Sequence, residues 1–430
     1  MRLISLRKGR NATTLLNATL VVFLAAMILA NIASSMENPL MPLYLQSLGA
    51  SVQQVGLFFT LTAIVPLVFQ ILGGFISDSI GRLQAIAIGS TAGLIGYIGY
   101  VLAPSWKWLL LAQGVASLAF CFVAPSFQAF IAEQSSEETR GRVFSVVDSV
   151  YMIVGVIGPP LGGYVSKYYG YRAMFGVALV LYGSATMIRI YMARKANSGA
   201  ARESSPPARD RLTFAGLKHN LVSMASMVLA GGVITWLFIS DGIGDVAYSI
   251  ASRFEPLYYS NIIGLDNTQI GSFLSAHHLV MMALLPVGGW FADRVGERAG
   301  IVLSNVAFAA GFAVFLAGKS YGHFMLVWII LGTGASFGRP AYNSLISKAV
   351  PLSMRGTAFG LFTTSLGLVS LPAPYIGGLL WNSFGPKATF VVPFAASLAA
   401  APLLWVKLSP AEIAKSVKKA SEAAESPAEA

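Results

Sequence analysis

Asp241 and Asp245 stand four residues apart inside an otherwise apolar run, a spacing that puts both carboxylates on one face of a helix. Arg339, beside Pro340, interrupts a second apolar run, Asp148 a third, and His277 with His278 a fourth. A charge at the middle of a bilayer costs about 3 kcal/mol or more, so such residues are candidates for substrate or proton binding. Carboxylates there bind cations or exchange protons, and a guanidinium binds carboxylate or phosphate. His277 and His278 diverge by about 100° on a helix, so only one of the two faces any given cavity. Each histidine is either a titrating group or a hydrogen-bonded packing residue. Glu37 and Arg253 lie close to the ends of their runs, where a charge is tolerated by snorkelling, and Glu37 either lines a cavity or meets the interface. Asp148 is a relay or an interface hydrogen-bond partner.

The elements that position these residues are apolar runs of about 20 residues, each long enough to cross about 30 Å of hydrocarbon. Twelve are expected, at approximately 14–36, 52–77, 83–103, 107–132, 143–166, 171–193, 221–250, 268–292, 299–318, 322–347, 357–381 and 387–407, numbered here spans 1 to 12. Charged residues are 11% of the chain, hydrophobic residues 55%, and mean hydropathy is +0.68. A soluble domain carries about 25% charged residues, so this composition excludes one. The fold class expected is an all-α membrane protein.

The net charge of +11 would fit a nucleic-acid partner if it were clustered, but 22 of the 29 Lys and Arg residues fall on one set of alternate connections. The opposite set holds six: Lys107, Lys167, Arg172, Arg253, Lys319 and Lys387. By the positive-inside rule the richer side, with both termini, the central linker and Arg189, is cytoplasmic. The first run follows basic residues as a signal peptide would, yet it is too long and lacks a cleavage site, so it reads as span 1. Cys121 is the only cysteine and no intrachain disulfide exists. The sequons at Asn11 and Asn17 fall on the cytoplasmic side or in span 1 and read as chance.

The chain also repeats. Gly73-Gly74-Phe75-Ile76-Ser77-Asp78-Ser79-Ile80-Gly81 returns as Gly288-Gly289-Trp290-Phe291-Ala292-Asp293-Arg294-Val295-Gly296. The same offset carries Arg140-Gly141 onto Arg355-Gly356, Pro159 onto Pro374, Gly162-Gly163 onto Gly377-Gly378 and Gln54-Val55-Gly56 onto Gln269-Ile270-Gly271. Two apolar copies joined by a polar linker are the layout of a two-halved membrane transporter. The expected units are an N-terminal six-helix bundle (1–194), a linker (195–220), a C-terminal six-helix bundle (221–408) and a cytoplasmic tail (409–430). The linker's basic residues either touch headgroups or are simply solvated. The tail mixes Lys, Glu and Ala and reads as a short, partly disordered extension.

The Gly74 to Arg82 segment resembles the signature between spans 2 and 3 of the major facilitator superfamily, with Ser79 and Leu83 departing from the basic residues usual there. The resemblance implies two six-helix bundles and a cytoplasmic latch. Asp78 would cap span 11 near Gly356-Thr357, Arg82 would pair with Glu133, and Asp293 would cap span 5 near Gly141-Arg142. Gly81, Gly296, Arg140 and Arg355 belong to the same device. The alternative is that Asp78 and Asp293 only end their helices. Gly158-Pro159-Pro160-Leu161-Gly162-Gly163 resembles the span-5 signature of the superfamily's drug:proton antiporters, although its first glycine is displaced to Gly155. A structural kink is the plainer reading. Glu37-Asn38-Pro39-Leu40-Met41-Pro42 resembles the paired-proline end of span 1 in those antiporters, echoed by Glu255-Pro256-Leu257-Tyr258. Span 4 has Leu110 where many of them carry arginine, so coupling by that residue does not carry over.

In this superfamily spans 1, 4, 7 and 10 line a central cavity, which would set Arg339 opposite Asp241 or Asp245. The three then form either a fixed packing cluster or a site where substrate or a proton competes for the carboxylates. The resemblance implies a proton-coupled exporter of an amphipathic, often cationic, small molecule in the inner membrane, with Trp236 and Phe337 as aromatic partners. The alternatives are a facilitator or proton symporter for a small anionic metabolite or sugar, favoured by Arg339, and a non-transporting receptor. Neither a nucleotide-binding P-loop nor a metal-spaced His/Cys cluster occurs, so no enzyme, no cofactor and no nucleic-acid partner is expected. The partners expected are the substrate, protons and lipid, with the monomer as the working unit.

Overall fold

A backbone inside hydrocarbon must satisfy its own N–H and C=O groups, and this chain does so with helices. The computed structural model describes residues 18–135, 137–199, 231–350 and 367–425, apart from the side chains of 70–75, 78, 197–199 and 419–425. Among the described residues there is no strand. Ten helical stretches are long and apolar enough to cross a membrane. One of them, Arg140–Ala196, holds spans 5 and 6, because its parent helix breaks at Gly170 with φ 83° and ψ 167°. Span 11 is represented by Ala373–Phe384, with its first residues outside the description. Twelve crossings in two six-helix halves result.

The helix of span 6 continues to Gly199, so the first residues assigned to the linker are helical. The tail also differs from expectation. Pro410–Glu425 is a helix. Ser409 caps it by accepting from the Glu412 N–H at 3.3 Å, proline enters at its first turn, and Ile413 packs on the core that contains Leu345 and Leu404. The Ser-Pro-Ala-Glu string was a helix-start signal that outweighs the polar composition.

The 215-residue repeat is written into the backbone. Three pairs of glycines with positive φ are related by it: Gly49 and Gly264, Gly81 and Gly296, Gly170 and Gly385. Only glycine adopts this conformation without strain, so each pair fixes an equivalent turn. Ser51 with Gln54 and Asp266 with Gln269 form matching capping boxes on spans 2 and 8. Two hydrogen bonds join residues exactly 215 apart, Arg253 to Asn38 at 3.3 Å and Asn261 to Gln46 at 2.9 Å. A residue touches its own counterpart only beside a twofold axis. The pseudo-twofold therefore passes through this seam.

The seam closes the end of the molecule opposite the linker. There span 2 meets span 11 and span 5 meets span 8 at van der Waals limit. A Cβ on Gly56 would lie 2.3 Å from the Pro374 carbonyl oxygen, and a Cβ on Gly271 would lie 2.3 Å from that of Pro159. Gly163 and Gly378 likewise face the backbone of Thr268 and Gln53. Further cross-half hydrogen bonds lie on this side of the molecule or at mid-depth, the deepest of them running from Ser275 to the Val156 carbonyl at 2.7 Å.

Overpacking costs about 1–3 kcal/mol, so Gly56→Ala or Gly271→Ala should lower the closed-to-open ratio of this seam by roughly 5- to 150-fold. Crosslinking between cysteines replacing Gln46 and Asn261 reads that ratio. Gly176→Ala, where a Cβ meets nothing within 4 Å, should leave it unchanged.

Candidate functional site

Each half encloses its own cavity, and the two are related by the repeat. The N-terminal one, about 470 Å³, is lined by Gly93, Tyr97, Phe127 and Tyr182 among others. Their counterparts Phe308, Phe312, Tyr342 and Ser397 line the C-terminal one, about 340 Å³. Bulk on one side of the repeat answers a gap on the other, which gives the two cavities different shapes and chemistry.

The C-terminal cavity holds both aspartates. Asp241 and Asp245 enter it from span 7, with Gly244 and Tyr248, and His277 enters from span 8. Asp245 accepts a hydrogen bond from the Ser370 hydroxyl. Among the described residues neither aspartate forms an ion pair. His277 stacks edge-on against Trp328 with centroids 5.5 Å apart, and its Nδ1 is buried without a partner. His278 turns away as the helical angle requires: its Nδ1 meets the Leu274 carbonyl at 2.8 Å and its ring covers Gly155. Of the pair, only His277 faces the cavity.

Arg339 does not meet the aspartates. It is exposed, makes no ion pair with a described residue and does not line the C-terminal cavity. The aspartates open into a space enclosed by spans 7, 8, 9, 10 and 12 of one half, whereas Arg339 projects outside that enclosure. Trp236 and Phe337 are also elsewhere. Lys407 lies 4.7 Å over the Trp236 ring, and Phe337 packs edge-on against Phe291 at 5.3 Å. The aromatic wall is built from Phe308, Phe312, Tyr248 and Tyr342.

Glu37 lines the N-terminal cavity, where its Oε2 is buried without a hydrogen-bond partner. Tyr97 and Tyr100 share that wall, the Tyr100 hydroxyl donating to Gln113 Oε1 at 2.6 Å. Arg189, counted from sequence among the linker charges, is 4% exposed and donates to the Ser90 hydroxyl at 2.9 Å. It faces the same cavity as Glu37. Its position four residues inside the expected end of span 6 was the available signal. Asp148 is exposed and does not line the cavity.

At the linker end Arg82 Nε donates to Glu133 Oε1 at 3.0 Å and Arg82 Nη1 to the Ser77 hydroxyl at 3.1 Å. The repeat conserves this bridge with its polarity reversed: Glu297 stands for Arg82, Lys348 stands for Glu133, and they are paired. Gly356-Thr357 and Arg355 lie outside the described residues, as does the side chain of Asp78, and Gly74 is described only as part of the helix Val52–Ile80. Asp293 is exposed, with no hydrogen bond or ion pair to a described residue, so the expected cap on span 5 is not made in this arrangement. Arg140 has a buried Nε without a partner. Gly158, Gly162 and Gly163 of span 5 are contact points: a Cβ would strike Ser35, the Met36 carbonyl and the Asn267 carbonyl respectively. Pro159 offers its carbonyl to Gly271. This segment packs span 5 on spans 1 and 8, beyond any kink it introduces.

One titrating contact lies outside the spans. Asp266 caps span 8, accepting from the Thr268 and Gln269 N–H groups at 2.9 and 3.0 Å, and pairs with Lys167 of the other half at 3.1 Å. Partial burial pushes its carboxyl up, but the Gln269 N–H and the Lys167 ammonium outweigh this and hold it below the usual carboxylate range.

The Major Facilitator Superfamily profile matches residues 23–252 and 237–429. A multi-drug resistance efflux pump, PmrA, of Streptococcus pneumoniae is 23% identical over 373 residues, 85% of this chain and 89% of that protein. A class G tetracycline resistance protein of Vibrio anguillarum is 25% identical over 348 residues, 78% and 83% respectively. Among solved structures, a peptide transporter POT in complex with sulfate superposes with a TM-score of 0.72 at 15% identity, covering 93% of this chain and 95% of that one. The human organic anion transporter MFSD10 gives 0.62 at 18% identity, covering 89% and 98%.

A carboxyl held low stabilises its contact above its unperturbed range and loses it as pH falls through the lowered value. The Lys167–Asp266 contact should therefore persist at neutral pH and weaken below about pH 4. Spin labels on Ser47→Cys and Ile262→Cys, exposed counterparts beside the seam, should separate in that acid window in the wild type, while Asp266→Asn should show no such acid step.

Proposed function

This chain belongs to the major facilitator superfamily, and we propose that it is a secondary active exporter that exchanges protons for an amphipathic organic cation across the inner membrane. The observation that carries the reading is the Asp241 and Asp245 pair, one helical turn apart, opening into an aromatic-walled cavity with no cation of the protein beside it. Two carboxylates at membrane depth are stable only when something neutralises them, and an incoming cation and a proton compete for that role. Phe308, Phe312 and Tyr342 add ring faces that attract a cation and cover apolar parts of a ligand. The efflux pumps among its relatives support the direction of transport.

In this mechanism the linker and both termini are cytoplasmic and the seam lies on the outer side. The two halves rock about the pseudo-twofold, breaking the glycine-packed seam while the linker ends close. Asp78 and Asp293, capping spans 11 and 5, form the latch of the second arrangement, which explains why Asp293 is unengaged while the seam is shut. Glu37 and Arg189 are the ionisable groups of the cavity in the other half, and Asp148 acts as a proton relay. No ATP is required, and the monomer contains every element used.

A second reading, uptake of a small anionic metabolite, has one observation in its favour: Arg339 is exposed and has no carboxylate partner among the described residues. Its position outside the C-terminal cavity weighs against it.

Tetraphenylphosphonium is the probe for the cation reading. Asp241→Asn and Asp245→Asn should each weaken its binding by roughly 5- to 150-fold, the range for losing about 1–3 kcal/mol of charge-assisted contact. Arg339→Ala should leave it unchanged. In proteoliposomes, collapsing an imposed proton gradient should abolish its concentrative transport; transport that survives both the collapse and the aspartate changes rejects the mechanism.

A further inference from the structure

Span 7 carries more polar groups than its two aspartates. Asp241, Asp245, Tyr248 and Ser252 follow one another at intervals of four, three and four residues, which places them on one stripe of the helix Val233–Ser252, and Glu255 opens the next short helix, Glu255–Tyr258, after the Arg253-Phe254 turn. The first three line the C-terminal cavity. Tyr248, Ser252 and Glu255 line a second cavity of about 250 Å³, which lies in the seam against Asn38, Pro39 and Pro42 of the other half. Tyr248 belongs to both walls. Tyr248 and Ser252 therefore connect the aspartate cavity with the one at the closed end, which Glu255 also lines.

Glu255 has an unusual setting. Glu255 is 3% exposed and its Oε1 has no hydrogen-bond partner. The nearby cation does not serve it: the Arg253 guanidinium donates to Asn38 Oδ1 at 3.3 Å and lies 4.6 Å over the Phe59 ring, both in the other half, and forms no ion pair. The titratable groups around Glu255 are Arg253, Tyr248 and Tyr259, all on its own strand of chain, and the Tyr259 hydroxyl already accepts from Trp328 Nε1 at 2.9 Å. Span 1 faces the cavity with Asn38, Pro39 and Pro42, span 8 with Ile270 and Leu274, and span 10 with Trp328, none of which titrates. An ionised, unpaired carboxylate in such a place would cost several kcal/mol. A neutral acid fits.

We infer that Glu255 is a proton-binding site of the seam, joined to the Asp241 and Asp245 cavity through Tyr248, and that the seam closes only over its neutral form. When the halves part, water reaches Glu255 and the carboxyl proton passes to it; when a proton returns from that side, the carboxylate is neutralised and the seam can shut. The inference rests on the proton-coupled reading for its role in transport, but the closure itself requires no substrate.

The test is the distance between spin labels on Ser47→Cys and Ile262→Cys in the full chain with Cys121→Ser, reconstituted without substrate between about pH 5 and about pH 9. Asp266 stays ionised across this window and does not contribute. In the wild type the open-to-closed ratio should rise with pH, by up to about tenfold per pH unit for one linked proton. Glu255→Gln should stay closed throughout, while Glu255→Asp, Asp241→Asn and Asp245→Asn should still respond to pH. A titrating Glu255→Asp beside a flat Glu255→Gln excludes simple misfolding. A wild type that does not respond, a Glu255→Gln that follows the wild type, or a flat Glu255→Asp would overturn the inference. Gradient-independent flux with an intact pH response would instead overturn only the proton-coupled function.

Discussion

Two backbone carbonyls, those of Pro159 and Pro374, touch two glycines, Gly271 and Gly56, across a pseudo-twofold axis. The rest of the arrangement depends on that contact, because nothing larger than hydrogen fits between these chains and no hydrophobic effect drives helices together inside lipid. Close approach supplies dispersion and brings polar side chains within bonding reach. Arg253 with Asn38, Asn261 with Gln46 and Lys167 with Asp266 all follow from it. Such a seam is bistable: it is either in register at full contact or parted and hydrated.

The repeat supplies the scaffold and its violations supply the chemistry. Glycine turns, capping boxes and seam contacts obey the offset. The cavities obey it in position but diverge in content. Ala30 stands where the other half has Asp245, and Phe120 stands where it has Ala335. The two linker-end bridges keep an ion pair and exchange its signs. Equivalent packing requires equal shape, while charge can be reversed if both partners change together. The C-terminal half thereby gains two unpaired carboxylates, and the N-terminal half a single carboxylate with a buried arginine.

Charge placement reads consistently with alternating exposure of such a site. Carboxylates without an ion-pair partner are the groups left for a ligand or a proton, and the Arg253 guanidinium is engaged across the seam. Arg339 illustrates the converse. A charge can sit at membrane depth, appear matched to Asp241 by sequence position, and still project outside the space that Asp241 lines.

Twelve spans, two halves and the offset of 215 residues were legible in the sequence, because apolar length and repetition are properties of the string itself. That only one of His277 and His278 faces the cavity followed from helical angle; that it is His277 did not. Partnership was not legible. Arg189 looked like a linker charge until the packing of spans 3 and 6 enclosed it, and the tail helix looked like an extension until Ile413 found a core. The expected pairing of Arg339 with the aspartates failed for the same reason: which side of a helix is enclosed depends on where its neighbours lie. Sequence determined what crosses the bilayer and where the chain turns, both set by solvation and local sterics. Only tertiary structure decided which buried charges are left unpaired, since that is settled by the relative placement of helices hundreds of residues apart.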